Sequence, residues 1–173
     1  MPALDPGHSA LVLVDLMERI VALTLAPHSG TDVLTAADRL AHAFRAAGAP
    51  VVHIRVERPG VDVQPPGSEL VAALVHDGDP VVVKRTIGGF QGTGLHELLA
   101  ERDVNTVVFG GIATNLGVES TARAAADLGY ELVFAEDAMT ALTADEHQAS
   151  VRLDFPRLGT VAPVDAISLD GPE

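Results

Sequence analysis

The chain has 173 residues, 47% hydrophobic but only 3% aromatic, and a formal net charge of −13. A chain of this length is expected to fold as one domain, residues 1–173, with a mainly aliphatic core. The acidic charge argues against nucleic acid and anionic membranes as partners, because both require a basic surface. The chain contains no cysteine, which excludes disulfides and a thiol nucleophile.

Six apolar runs predict β-strands, and the segments between them predict helices. The predicted strands are Ala10–Asp15, Pro50–Val56, Pro80–Lys84, Thr106–Phe109, Glu131–Ala135 and Gly159–Ala162. The predicted helices are 32–47, Glu69–Val75, 93–102, Leu116–Leu128 and a segment from a Thr143–Glu146 capping box to Phe155. This alternation predicts a three-layer α/β/α, Rossmann-like fold with a six-stranded, mostly parallel sheet.

Polar or glycine-rich segments lie at the ends of four predicted strands. Asp15 ends the first strand, Arg55 and Arg58 lie at the end of the second, Lys84 ends the third, and the turn Gly110–Gly117 follows the fourth. Ligands of such sheets bind beyond the carboxyl ends of the strands, where the strand order reverses. We therefore expect these residues to converge on one site.

The residue types at this edge suit acid–base chemistry. Apolar neighbours would desolvate Asp15 and raise its pKa, which suits a general acid or base, although a capping role is the alternative. Lys84, the only lysine, could stabilise developing negative charge or simply be exposed. His53 could face the same site or be a half-buried structural histidine.

No pattern in the sequence indicates a cofactor. The seven histidines form no H-x-H, H-E-x-x-H or D-x-H arrangement, and no phosphate-binding Walker sequence is present, so we expect neither a metal nor a cofactor. The N-terminal residues lack a signal-peptide pattern, and no apolar run reaches membrane-spanning length. We expect a cytoplasmic protein without membrane contact.

Four segments resemble the isochorismatase-like hydrolase superfamily, which includes nicotinamidases and other cysteine amidohydrolases. They are LVLVD at 11–15, VVVKRTIGGFQGTGL at 81–95, GGIATNLGVESTARAAADLGYEL at 110–132 and EDAMTA at 136–141. The third is similar to the pattern G-[IV]-x-T-N-x-C-V-x-x-T-A-R, with Gly117 where the pattern has cysteine. The resemblance extends over about residues 10–167.

The resemblance implies a catalytic site with one member changed. The family's triad is Asp, Lys and Cys, which would correspond to Asp15, Lys84 and Gly117. The family also has a non-proline cis peptide, here between Ile112 and Ala113, which aims the N–H groups of Ala113 and Gly117 at a substrate oxygen. The metal ligands of nicotinamidases have no match after the second strand.

This resemblance implies that the protein is a hydrolase of a small, anionic substrate. The changed triad implies that the reaction proceeds without a covalent intermediate. True isochorismatases also carry glycine here; in them the Asp protonates an enol-ether carbon, water adds and pyruvate leaves. The expected substrate-binding residues are Ala113, Arg55, Arg85, Phe90 and His53.

Two other hypotheses stay open. One is a non-catalytic homologue that binds a metabolite or scaffolds an assembly, and the other is an amidohydrolase whose cysteine was deliberately replaced. The resemblance also implies a homodimer or homotetramer.

Overall fold

In the computed structural model, which describes residues 2–170, six strands form one sheet flanked by helices. The strands are β1 (Ser9–Val14), β2 (Val51–Val56), β3 (Val81–Lys84), β4 (Thr106–Ile112), β5 (Glu131–Thr140) and β6 (Thr160–Ala162). The helices are α1 (Glu18–Val21), α2 (Gly30–Ala46), α3 (Leu95–Ala100), α4 (Glu119–Asp127), α5 (Ala144–Ala149) and α6 (Phe155–Leu158).

The strand order across the sheet is β3-β2-β1-β4-β5-β6, and every neighbouring pair is parallel. The predicted Rossmann-like α/β fold is therefore confirmed. The order reverses between β1 and β4, which is where such sheets form a crevice for ligands.

The central strands are apolar throughout because the sheet is covered on both faces. In β1, Leu11 and Leu13 pack in the core beneath α2, whereas Val12 and Val14 pack in the core on the α3, α4 and α6 side. Successive side chains of a strand point to opposite faces, so one uninterrupted apolar run supplies both cores.

The carboxyl ends of β1 and β4 approach each other closely at Gly111. This glycine has a φ of 126°, and a Cβ there would lie 2.1 Å from the carbonyl oxygen of Val14. No other residue type fits, because the backbone conformation and the contact both require the absence of a side chain.

The clearest differences from the sequence prediction concern three elements. The predicted helix Glu69–Val75 is wrong, since the structure forms only a 3-10 turn at Ala72–Leu74. The short helix α1 was not predicted. Strand β5 continues past Ala135 to Thr140, and this extension is irregular.

The irregular part of β5 is a bulged segment opposite β4. Phe109 pairs with Phe134 and Gly111 with Met139, so Gly110 alone lies opposite the four residues 135–138. Such insertions re-aim side chains near the ends of strands. Among residues 2–170, no helix is long and apolar enough to cross a membrane.

Candidate active site

Asp15 lies directly after β1, at the carboxyl edge of the sheet. Its φ of 53° places it in the left-handed region, which is uncommon for a residue with a side chain. Its N–H donates to the Ile54 carbonyl at 2.8 Å, and its own carbonyl accepts from the Met17 N–H at 2.8 Å. These backbone bonds hold the residue in a conformation that an unsupported strand end would not adopt.

Lys84, the last residue of β3, forms a buried ion pair with Asp15. Its Nζ lies 2.7 Å from Asp15 Oδ2 and donates to the Ile87 carbonyl at 2.6 Å. The Lys84 and Asp15 side chains are only 2% and 9% exposed. Removing one charge of such a pair leaves the other buried and uncompensated, which costs folding free energy. Each of the two side chains therefore depends on the other.

The two carboxylate oxygens of Asp15 have different surroundings. Oδ2 contacts Lys84, whereas Oδ1 is buried and has no hydrogen-bond partner within residues 2–170. Burial raises the pKa of Asp15 above its ordinary value, while the charge and hydrogen bond of Lys84 oppose part of that rise. A carboxyl group with a raised pKa and one unengaged oxygen suits proton transfer.

Gly117 lies in the turn that connects β4 to α4. The peptide bond between Ile112 and Ala113 is cis, and Thr114–Val118 form a wide π-type helical turn before α4 begins. A Cβ at Gly117 would lie 3.0 Å from Lys84 Nζ and 3.1 Å from Asp15 Oδ2. The position is therefore the third corner of the Asp15–Lys84 site, and it carries no side chain.

These groups open into a cavity of about 460 Å³ at the switch point of the sheet. Its walls are mainly aliphatic, from Ile20, Leu23, Ile87, Ile112, Leu116 and Leu142. Three charged residues, Glu57, Arg58 and Arg85, complete its lining beside the Asp15–Lys84 pair.

The cavity brings together five of the residues that the sequence analysis selected. They are Asp15, Lys84, Ala113, Gly117 and Arg85. They come from three separate parts of the chain, and the parallel arrangement of β1, β3 and β4 places them at one edge.

Three other selected residues lie outside this cavity. Arg55 pairs with Glu57 at 2.7 Å instead of facing the cavity. Phe90 lines a neighbouring cavity of about 830 Å³, together with Ser120 and His96. The expectations that these two side chains contact a substrate beside Asp15 are therefore not supported by their positions.

His53 does not line this cavity, and of the two roles considered for it the structure supports that of a structural histidine. Its side chain is buried, and its Nε2 lies 3.1 Å from Asp79 Oδ2, an oxygen that also accepts from Arg45 at 2.6 Å. His53 therefore belongs to a structural ion cluster with Asp79 and Arg45. Burial lowers the pKa of His53, although the hydrogen bond and charge of Asp79 oppose this.

The sequence analysis missed much of the aliphatic lining. Ile20 and Leu23 come from the region of α1, and Leu142 follows β5. Apolar residues three apart at 20 and 23 were the available signal for a short helix with an apolar face. Nothing in the sequence indicated that the Ile87 carbonyl accepts from Lys84.

The segment after β2 does not offer the metal site of nicotinamidases. Its only carboxylate close to the strand end, Glu57, accepts from both Arg55 at 2.7 Å and Arg85 at 2.9 Å. Two guanidinium groups neutralise this carboxylate, so the residues at this place do not fit a cation.

Comparisons with known proteins agree with this fold and identify the family. Residues 9–166 match the family described as the isochorismatase domain. An uncharacterised isochorismatase family protein of Escherichia coli O157:H7, YecD, is 39% identical, over 96% of this chain and 98% of its own length.

Two solved structures share the fold. An isochorismatase family protein from Burkholderia thailandensis is 36% identical, with a TM-score of 0.90 over 99% of this chain and 100% of that one. N-carbamoylsarcosine amidase from Thermoplasma acidophilum is 27% identical, with a TM-score of 0.79 over 95% and 99% of the two chains.

Proposed function

This chain belongs to the isochorismatase family of hydrolases, and on that premise we propose that it hydrolyses a small anionic substrate by non-covalent acid–base chemistry. Asp15 transfers the proton, Lys84 balances the charge of the Asp15 carboxylate, and the turn at Ala113–Gly117 presents backbone N–H groups to a substrate oxygen.

The observation that carries this proposal is the asymmetry of the Asp15 carboxyl group. Lys84 engages Oδ2, while Oδ1 is buried without a partner beside the cavity. A buried oxygen without a hydrogen-bond partner costs free energy. This cost is removed when a bound ligand supplies the missing hydrogen bond. Oδ1 is thus the atom that exchanges a proton with the substrate.

The charges near the cavity support an anionic substrate. Arg55 and Arg85 share the single carboxylate of Glu57, which leaves an excess positive charge. Arg58 also lines the cavity, and within residues 2–170 its side chain has no carboxylate within 4.0 Å. Guanidinium groups with unused donors are suited to carboxylate recognition.

Gly117 supports a non-covalent route, because no nucleophilic side chain is available at that corner. In an enolpyruvyl ether, Asp15 protonates the terminal CH₂ carbon and the neighbouring carbon becomes an oxocarbenium ion. Water adds to that carbon and returns a proton to Asp15, and the hemiketal then releases the alcohol and pyruvate. These steps consume one water molecule and return Asp15 to its protonated form, and they require no covalent enzyme intermediate.

The absence of a side chain at Gly117 also supports a second candidate, a metabolite-binding homologue without turnover. The raised pKa of Asp15 and its buried pairing with Lys84 favour the enzyme, because a binder needs no proton donor of tuned pKa.

The test is hydrolysis of a substrate panel by the purified protein in D₂O. The panel has four members: isochorismate, nicotinamide, an N-carbamoyl amino acid and, separately, a simple enolpyruvyl ether. We expect turnover of an enolpyruvyl ether, with one solvent deuterium in the methyl group of the pyruvate formed, and no covalent adduct in the intact protein mass.

Each alternative gives a different result. Amide turnover with an acyl adduct on the protein would contradict the non-covalent mechanism. A panel member that raises the melting temperature but is recovered unchanged and unlabelled would favour the metabolite-binding homologue.

A further inference from the structure

Three metal-ligating side chains converge away from the Asp15–Lys84 pair. They are His28 in the loop before α2, Glu136 in the bulged segment of β5, and His147 on α5. Glu136 Oε1 lies 3.7 Å from the Nε2 atoms of both histidines, and the three ligand atoms all lie within 4.8 Å of one another.

The facing atoms do not satisfy one another. A separation of 3.7 Å is too long for a hydrogen bond. The Nε2 atoms of His28 and His147 are both buried, and neither has a hydrogen-bond partner within residues 2–170. Two orphaned buried nitrogens facing one carboxylate indicate that a further species lies between them.

The two nitrogen–oxygen separations are close to those around a small divalent cation. Zinc binds imidazole nitrogen at about 2.0–2.1 Å and carboxylate oxygen at about 2.0–2.2 Å, so tetrahedral ligand atoms lie about 3.4 Å apart. The two observed separations of 3.7 Å need to shorten by only a few tenths of an ångström. Two histidines and one glutamate are also a ligand set that zinc sites use, with a fourth position left open.

Outer contacts fix the orientation of the ligands. His147 Nδ1 lies 2.8 Å from the Thr114 hydroxyl, so a proton on Nδ1 leaves the Nε2 lone pair free for a metal. The Thr140 hydroxyl accepts from the His28 N–H at 3.3 Å and donates to the His28 carbonyl at 2.8 Å. A partner at the second ring nitrogen, as Thr114 provides for His147, is typical of metal-binding histidines, whereas the Thr140 bonds anchor only the backbone of His28.

The bulged segment that carries Glu136 is itself anchored. The neighbouring carboxylate of Asp137 accepts from the Val164 N–H at 2.7 Å. Glu136 is therefore presented by a fixed backbone.

We propose that His28, Glu136 and His147 form a binding site for a divalent transition-metal ion of the zinc type. This departs from the sequence-based expectation of no metal, which considered only ligands close together in the chain. Through Thr114, the site connects to the turn that holds Ala113 and Gly117, so an ion there stabilises the backbone beside Asp15.

The test measures Zn²⁺ binding to the untagged protein after treatment with EDTA, by calorimetry and by the shift in melting temperature. The variants are Glu136→Gln and His28→Asn, because both side chains are partly exposed, whereas replacing the fully buried His147 endangers folding. His42→Asn, on the exposed side of α2, is the matched control.

We expect one Zn²⁺ per chain and a higher melting temperature with the ion. Each ligand variant should bind at least about tenfold more weakly, and the control should match the wild type. The absorption of bound Co²⁺ should show nitrogen ligation that Glu136→Gln perturbs.

Two results would overturn the proposal. One is an absence of binding to the wild type, which would leave an ordered water between the three side chains. The other is equal Zn²⁺ affinity in the wild type and Glu136→Gln, or a loss of binding in His42→Asn, since either would place the ion elsewhere on the surface.

Discussion

Asp15 and Gly117 are the two residues on whose local geometry the proposed chemistry depends most. Asp15 leaves β1 at a positive φ, and its carboxylate contacts Lys84. Gly117 leaves the opposite side of that ion pair open, because a Cβ there would lie within 3.1 Å of Asp15 Oδ2. The space beside the carboxylate thus depends on the missing side chain.

Replacing Gly117 tests this dependence at the level of a single methyl group. In Gly117→Ala, the new Cβ would contact Lys84 Nζ at 3.0 Å and Val14 Cγ1 at 3.1 Å, so these groups must move by a few tenths of an ångström. We expect the free energy of unfolding to fall by about 1–3 kcal/mol and hydrolysis to slow. Urea denaturation and steady-state kinetics measure the two effects.

Gly94→Ala is the matched control, since a Cβ there meets nothing within 4 Å. We expect its free energy of unfolding to stay within about 0.5 kcal/mol of the wild type. If both alanine variants were equally stable and equally active, the close contacts around Gly117 would have no functional importance.

At the scale of secondary-structure elements, the cluster of His53, Asp79 and Arg45 joins one strand, one helix and one loop. His53 lies in β2, Asp79 in the loop before β3, and Arg45 near the end of α2. Arg45 also donates to the Leu74 carbonyl at 2.6 Å. The cluster fixes the amino-terminal entry into β3, whose carboxyl end supplies Lys84.

We expect His53→Gln to lower the free energy of unfolding by about 1–3 kcal/mol, because Asp79 loses a buried partner. Turnover per folded molecule should not change, since His53 does not line the cavity. Thermal denaturation and kinetics test this, with the exposed His42→Gln as the control. A large loss of turnover with unchanged stability would instead indicate that His53 takes part in catalysis.

The same variant has a defined pH dependence. Burial lowers the pKa of His53, so the folded protein binds fewer protons than the unfolded chain. The stability contributed by His53 is present above the ordinary histidine pKa of about 6.5, and it is lost as the pH falls through the folded value. The stability difference between wild type and His53→Gln should therefore narrow in acid.

The sequence predicted the secondary-structure elements more accurately than the faces to which individual side chains point. Strands β1 to β4 follow from apolar runs, and the capping box of Thr143 and Glu146 is confirmed at the start of α5. A strand buried on both faces has no polar alternation, so the pattern around His53 could not show which side its ring faces. The bulge that places Glu136 depends on the register between β4 and β5, which local sequence does not encode.

At the scale of the whole molecule, the chain is strongly acidic, whereas cationic residues gather around the cavity. The formal charge is −13, yet Arg55 and Arg85 both pair with one carboxylate, Glu57, and Arg58 and Arg85 line the cavity. Local positive charge on an acidic protein favours an anionic ligand at this edge over the rest of the surface. The convergence of these residues could be predicted because parallel strands end at one edge.

The number of copies that associate stays a prediction. The apolar side chains of Ile87, Leu116 and Leu153 are 63%, 49% and 62% exposed, which is compatible with the expected homodimer or homotetramer. Light scattering coupled to size-exclusion chromatography measures this directly.

We propose that Asp15 carries the proton, and the most direct measurement of this role compares Asp15→Asn with Asp38→Asn, an exposed control on α2. The quantity is kcat/KM on the substrate identified from the panel, below the melting temperature of both variants. We expect Asp15→Asn to lose about 10²–10⁴-fold with an unchanged circular dichroism spectrum, and Asp38→Asn to match the wild type. A folded Asp15→Asn variant with wild-type kcat/KM would contradict the account.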